Sequence, residues 1–137
     1  MNRDIWGVFH DGVVKLIEGT VPGTLKLEIE IDYLRRMFPE PGDRFVVMLI
    51  GCSKFVYAGY DEPPTEDLSH IQSREPEILY ITSERPVVLD CNEGTLEIEY
   101  DEMTVGLESG QAVDYETLAS ACRKYWTDWK SRTSNGA

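Results

Sequence analysis

The sequence predicts an α+β fold, a mainly antiparallel β-sheet domain with one C-terminal amphipathic helix packed on it. Three observations carry this. Short runs of aliphatic and β-branched residues recur along most of the chain, separated by turns rich in Gly, Pro and Asn. Two of the runs, Leu25 to Asp32 and Leu96 to Asp101, alternate apolar and charged residues with the two-residue period of a half-buried strand. Only beyond Asp114 does the spacing of apolar residues change to threes and fours, the period of a helix.

Taken in order, Ile5-Trp6-Gly7-Val8-Phe9 and Val13-Val14-Lys15-Leu16-Ile17 read as strands, with His10-Asp11-Gly12 as the hairpin turn between them, because Asp-Gly readily supplies positive φ. A second turn, Val21-Pro22-Gly23, leads into a strand with Leu25, Leu27, Ile29 and Ile31 on one face. Tyr33 to Phe38 has room for one helical turn before Pro39-Glu40-Pro41-Gly42-Asp43 breaks it. The near-continuous apolar run Phe45 to Ile50 predicts a central strand buried on both faces, and Lys54 to Tyr57 continues or pairs with it after a bend at Gly51.

Residues 58–76 interrupt the β pattern with an acidic, proline-containing connection in which Thr65 caps a short helix and Leu68 and Ile71 face inward. Ile78 to Thr82, Val87 to Cys91 and Thr95 to Leu107 follow as strands, with turns at Glu84-Arg85-Pro86 and Asn92-Glu93-Gly94. The predicted helix covers residues 114–132. Asp114 caps it, and Tyr115, Leu118, Ala119, Cys122, Trp126 and Trp129 form its apolar stripe, with both tryptophans as core anchors. Residues 133–137 read as a frayed tail.

A chain of 137 residues that is 42% hydrophobic fits one domain, residues 1–137, with its own core. The opening residues carry no apolar signal core, and no stretch approaches the roughly 20 apolar residues that span a bilayer, so a cytoplasmic protein without membrane attachment is expected. Cys52, Cys91 and Cys122 are odd in number and far apart, which predicts reduced thiols and neither a disulfide framework nor a cysteine zinc site.

Charge separates the chain into three parts. The net charge is -12, yet residues 1–60 are almost balanced, residues 61–116 hold sixteen Asp/Glu against Arg74 and Arg85, and the remainder is basic. Such a field repels nucleic-acid phosphates and anionic membranes and favours a basic protein partner.

Catalytic and metal chemistry find little purchase in the sequence. His10-Asp11 resembles the start of a metal site, but His10 and His70 are the chain's two histidines, too few for a histidine metal centre. Gly51-Cys52-Ser53 lacks the second glycine of a nucleophile elbow, and no phosphate-binding glycine motif is present. The expectation is therefore no catalytic residue, no metal and no cofactor, with enzymatic activity disfavoured. The candidate partner-binding residues are Asp61, Glu62, Glu66, Asp67, Glu97, Glu99 and Asp101, the last three at two-residue spacing on one strand face.

Trp6-Gly7-Val8-Phe9-His10-Asp11-Gly12-Val13-Val14, followed by the Leu25 to Ile31 strand, resembles the start of small uncharacterised bacterial proteins, some of them described as immunity proteins that neutralise toxins. The resemblance covers about the first third of the chain and implies a cytosolic inhibitor without catalytic residues. The functional expectation is a non-enzymatic, acidic protein-binding domain, with an immunity-type inhibitor of a basic partner as one version. The alternative is a small-molecule-binding or catalytic domain with a pocket between sheet and helix.

Overall fold

The computed structural model describes residues 5–135. A helical turn, α1 (Ile5–Val8), leads into the hairpin β1 (Val13–Gly19) and β2 (Gly23–Glu30), a second short helix α2 (Asp32–Arg35), and the strands β3 (Arg44–Cys52) and β4 (Lys54–Gly59). Helix α3 (Leu68–Arg74) precedes β5 (Ile78–Glu84), β6 (Val87–Cys91), β7 (Gly94–Glu99), β8 (Glu102–Leu107) and the two-residue β9 (Ala112–Val113). The chain ends in α4 (Tyr115–Asn135). The strands form two antiparallel sheets, ordered β1-β2-β3-β8-β9 and β4-β7-β6-β5. None of the helices in the described residues is long and apolar enough to cross a membrane.

The α+β architecture is as the alternating segments predict, and β3 is the middle strand of the first sheet. It is not buried on both faces, however. Phe45, Val47 and Leu49 are fully buried, whereas Val46 and Met48 are half-buried and Ile50 is exposed, so an unbroken apolar run here still has a core side and an outer side. Inward residues of both sheets, including Leu25, Leu27, Phe45, Phe55, Leu89, Leu96 and Ile98, belong to one continuous core.

The first segment differs from its expected form. Ile5 to Phe9 makes a helical turn and not a strand, with Phe9 N–H donating to the Trp6 carbonyl at 3.2 Å and Gly12 N–H to the Phe9 carbonyl at 2.8 Å. A five-residue apolar run has no readable period, and the helical form lets Ile5, Trp6, Val8 and Phe9 all reach the core. His10-Asp11-Gly12 is accordingly a helix-to-strand link, not a hairpin. Its two small residues have geometric duties. Asp11 takes φ 73°, and a Cβ on Gly12 would lie 2.6 Å from the Ile29 side chain and 2.8 Å from the Phe9 carbonyl.

Strands β3 and β4 are one strand bent at Gly51 to Ser53, and β7 and β8 are its bent partner. Ile50 opposes Glu102 and Lys54 opposes Glu99, so three residues face two across the corner, as in a β-bulge. The expected single run Thr95 to Leu107 is thus two strands in different sheets. Thr65 is not a helix cap. It pairs with Tyr57 across the free edge of β4, while the Asp67 carboxylate caps α3 by accepting from the amides of Ser69 at 3.1 Å and His70 at 3.3 Å.

A fully buried arginine fastens the helical side to the first sheet. Arg35, on α2, donates to the carbonyls of Arg44 (3.1 Å), Glu40 (2.6 Å) and Pro41 (3.1 Å) and pairs with the carboxylates of Glu40 (3.3 Å) and Glu108 (3.7 Å). Glu108 in turn accepts from the Asp43 and Arg44 amides, and Glu40 from the Ser109 hydroxyl. The guanidinium is therefore hydrogen-bonded from several sides, the condition under which burying a charge is tolerated.

Helix α4 is capped as predicted, with the Thr117 amide donating to Asp114 Oδ1 at 2.8 Å. It packs on α1 and α2 and buries Leu118 and Ala119, but its stripe then leaves the core. Trp126 and Trp129 are 39% and 44% exposed, so they are not the anchors the periodicity suggests. A regular stripe marks one face of a helix without fixing how far along it the domain extends. Tyr33 of α2 holds the emerging part, its ring tilted against Tyr125 at 4.6 Å and edge-on to Trp126 at 5.7 Å between centroids. The helix continues to Asn135, three residues past its expected end, and 136–137 lie outside the described residues. The three cysteines are free thiols, and burial pushes that of Cys91 up to about 12.

The tryptophan that anchors the core is Trp6, 2% exposed, with its indole N–H on the Tyr100 hydroxyl at 3.0 Å. Chemical denaturation should show Trp6→Ala destabilised by about 3–5 kcal/mol, and Trp126→Ala by less than about 1.5 kcal/mol. Equal losses would show that α4 is as deeply anchored as α1.

Candidate protein-binding face

The outer face of the second sheet presents Glu97 and Glu99 among the acids singled out in the sequence, and strand register lays out its residues in rows. Because Leu96 and Ile98 point into the core, Glu97 and Glu99 point outward. One row holds Lys54 and Glu99, the next Val56, Glu97 and Val88, and the third Ala58, Thr95, Asp90 and Tyr80. Tyr60 lies just past the end of β4, its amide donating to the Glu93 carbonyl at 3.1 Å. Tyr60 and Tyr80 are 69% and 57% exposed.

Lys54 is the cation of this face. Its ammonium donates to Glu97 Oε2 at 2.7 Å. That hydrogen bond, followed by the charges of Glu97, Glu99 and Glu66, holds the lysine above its ordinary range. Glu66, from the loop along the edge of β4, adds its charge to the surroundings of Lys54. One lysine set against three carboxylates leaves the neighbourhood negative.

The remaining candidates have local duties. Glu62 packs over Gly59 and is turned to His70, whose Nε2 lies 3.1 Å from both its oxygens, with Arg74 Nε at 3.7 Å. Arg74 also reaches Glu93 at 3.4 Å. Asp67 is spent on the cap of α3, and Asp61 is exposed in the loop. Asp101 sits at the ribbon corner, its carboxylate filling the space where Gly51, at φ 67°, has no Cβ. Glu97 and Glu99 therefore share a face, and Asp101 belongs to the corner beyond it.

Sequence reasoning missed Tyr60, Tyr80 and Asp90. The Tyr80 hydroxyl donates to the Asp90 carboxylate, and that bond, with the carboxylate's charge behind it, raises the phenol's pKa. Register shifts on either side of Tyr80 and Ile81 scramble the alternation that would have marked Tyr80 as outward. His10 is exposed, with Nδ1 3.3 Å from Asp11 Oδ2 and its carbonyl accepting from the Tyr33 hydroxyl at 2.9 Å. Among the described residues no three side chains of metal-ligating type converge. Compared with family models, curated proteins and solved structures, the chain matches none.

The Tyr80–Asp90 contact is open to direct titration. In the protein labelled at tyrosine Cζ, the Tyr80 resonance should titrate above the ordinary phenol value of 10.0 and move to lower pH in Asp90→Asn, because the neutral amide no longer stabilises the protonated phenol. An unchanged midpoint would remove Asp90 from the face as a partner of Tyr80.

Proposed function

We propose that this chain is a non-enzymatic protein-binding domain that recognises a basic protein through the outer face of its second sheet. The observation that carries the proposal is the placement of two largely exposed tyrosines, Tyr60 and Tyr80, on the side that also presents Asp90, Glu97, Glu99 and Glu66. Tyrosine is among the residues that contribute most at interfaces, since it offers a large rigid surface with a polar tip. Carboxylates around it steer a cationic partner and reject anionic ones. Half-buried Val56 and Val88 give the same face an apolar centre.

An immunity-type inhibitor is one concrete version, supported by the resemblance of residues 6–14 to the start of small bacterial proteins, some of which have that role. The free thiols Cys52, Cys91 and Cys122 fit a reducing, cytoplasmic setting. The competing idea of a ligand enclosed between sheet and helix has less support, because α4 rests on α1 and α2 and the spaces beside it are open grooves.

Affinity capture from the source cells, followed by stopped-flow kinetics with the captured protein, tests this reading. The captured partner should be basic, and its association rate should fall about tenfold or more between low and physiological ionic strength. Tyr60→Ser with Tyr80→Ser should abolish capture while leaving the thermal midpoint in place. Undiminished capture by the double variant, or a rate indifferent to salt, would rule out this face.

A further inference from the structure

We propose that Lys54 is the specificity-determining residue of the candidate face: its ammonium holds the seat on Glu97 that an arginine of the basic partner takes on binding, and it moves over to Glu99. The inference rests on the reading of that face given above. It adds the chemistry of the partner's anchor and the contact that must open to admit it.

Strand register puts the seat in the middle of the face. Glu97 lies between Val56 and Val88 in its row, so a partner that covers these half-buried valines meets the Glu97 carboxylate. Lys54, which begins β4, stands directly opposite Glu99, yet its ammonium reaches diagonally to Glu97 Oε2 at 2.7 Å. Among the described residues no cation forms an ion pair with Glu99. A vacant acid therefore waits across from the lysine while the central one is occupied.

The occupied seat is only half used. The ammonium engages one Glu97 oxygen, and no described residue donates to the other. A guanidinium is a planar fork that donates to both oxygens of a carboxylate at once, which an ammonium does not, so arginine outcompetes lysine here. Lys54 and Glu97 keep 38% and 36% of their side-chain surface exposed, and exposed pairs of this kind are held weakly. Displacement also leaves no charge stranded. Glu99 lies two residues along the same strand face, about 7 Å away, within the swing of a lysine side chain that already opposes it.

The probes are nona-arginine and nona-lysine, equal in charge, read by fluorescence anisotropy at low ionic strength. Lys54→Met should bind nona-arginine about threefold or more tighter than the parent protein, and nona-lysine should gain less. Adding Glu97→Gln should cancel the gain, because no seat is left to open, whereas an effect of net charge alone would survive it. Lys26→Met removes the same charge from the outer side of the first sheet and should change affinity by less than about twofold. In protein labelled with ¹⁵N-lysine, the Lys54 ammonium resonance should respond to Glu97→Gln in the free state and to Glu99→Gln once nona-arginine is bound. Equal gains in Lys54→Met and Lys26→Met, or an ammonium resonance unmoved by nona-arginine, would overturn the exchange even where the tyrosine double variant loses capture. Undiminished capture by that double variant would instead remove the face, and the exchange with it.

Discussion

The corner of the β3–β4 and β7–β8 ribbon is the constraint from which the rest of the architecture follows. Without it the chain would make one long twisted sheet with a single apolar side. Three residues, Gly51 to Ser53, oppose only Tyr100 and Asp101, and the ribbon bends so that both halves turn an apolar side to a common core. The bend is secured on both strands, by Ser53 N–H on the Glu99 carbonyl at 2.9 Å and Asp101 N–H on the Ile50 carbonyl at 3.0 Å. Gly51 accepts the left-handed conformation, and the Asp101 carboxylate lies where a side chain would otherwise project. A residue that composition alone would assign to the acidic surface is thus part of the hinge that creates the surface.

Once the ribbon is bent, the chemistry of the two sides follows from what is attached to each half. The half formed by β4 and β7 carries Glu97 and Glu99 outward, and the loop after β4 folds back on its edge and adds the charge of Glu66 to the surroundings of Lys54. The other half, with β3 and β8, is fastened by Arg35 to α2 and to the turns at 39–43 and 108–110, and α4 packs over this helical side. Arg123, Lys124 and Lys130 ride on α4. Acid and base that are successive in the chain are thereby carried by different elements, Glu97 and Glu99 by β7 and the cations by α4.

Much of this was legible in the sequence where local physics decides. Alternation identified β2 and β7, the Asp114 cap identified the start of α4, and Gly51 identified the bend. What escaped was set by tertiary context. Ile5 to Phe9 is too short to reveal its period, and only the packing of Trp6 and Phe9 against residues far along the chain makes it helical. Thr65 and Asp67 are both good caps, and the pairing of Thr65 with Tyr57 decides between them. The tryptophans of α4 satisfy a helical stripe while only partly buried. Of the candidate face, the carboxylates were visible as a surplus of charge, but Tyr60, Tyr80 and Asp90 come together only through the register of four strands.

The central claim is that recognition occurs on the outer face of the second sheet. Amide chemical-shift mapping of the labelled protein with its basic partner bound tests it most directly. The account predicts perturbations centred on Ala58, Thr95, Asp90 and Tyr80, spreading to Val56 and Glu97, with the first sheet unaffected. Perturbations centred instead on Val46, Met48 and Thr104, the outer side of the first sheet, would contradict it.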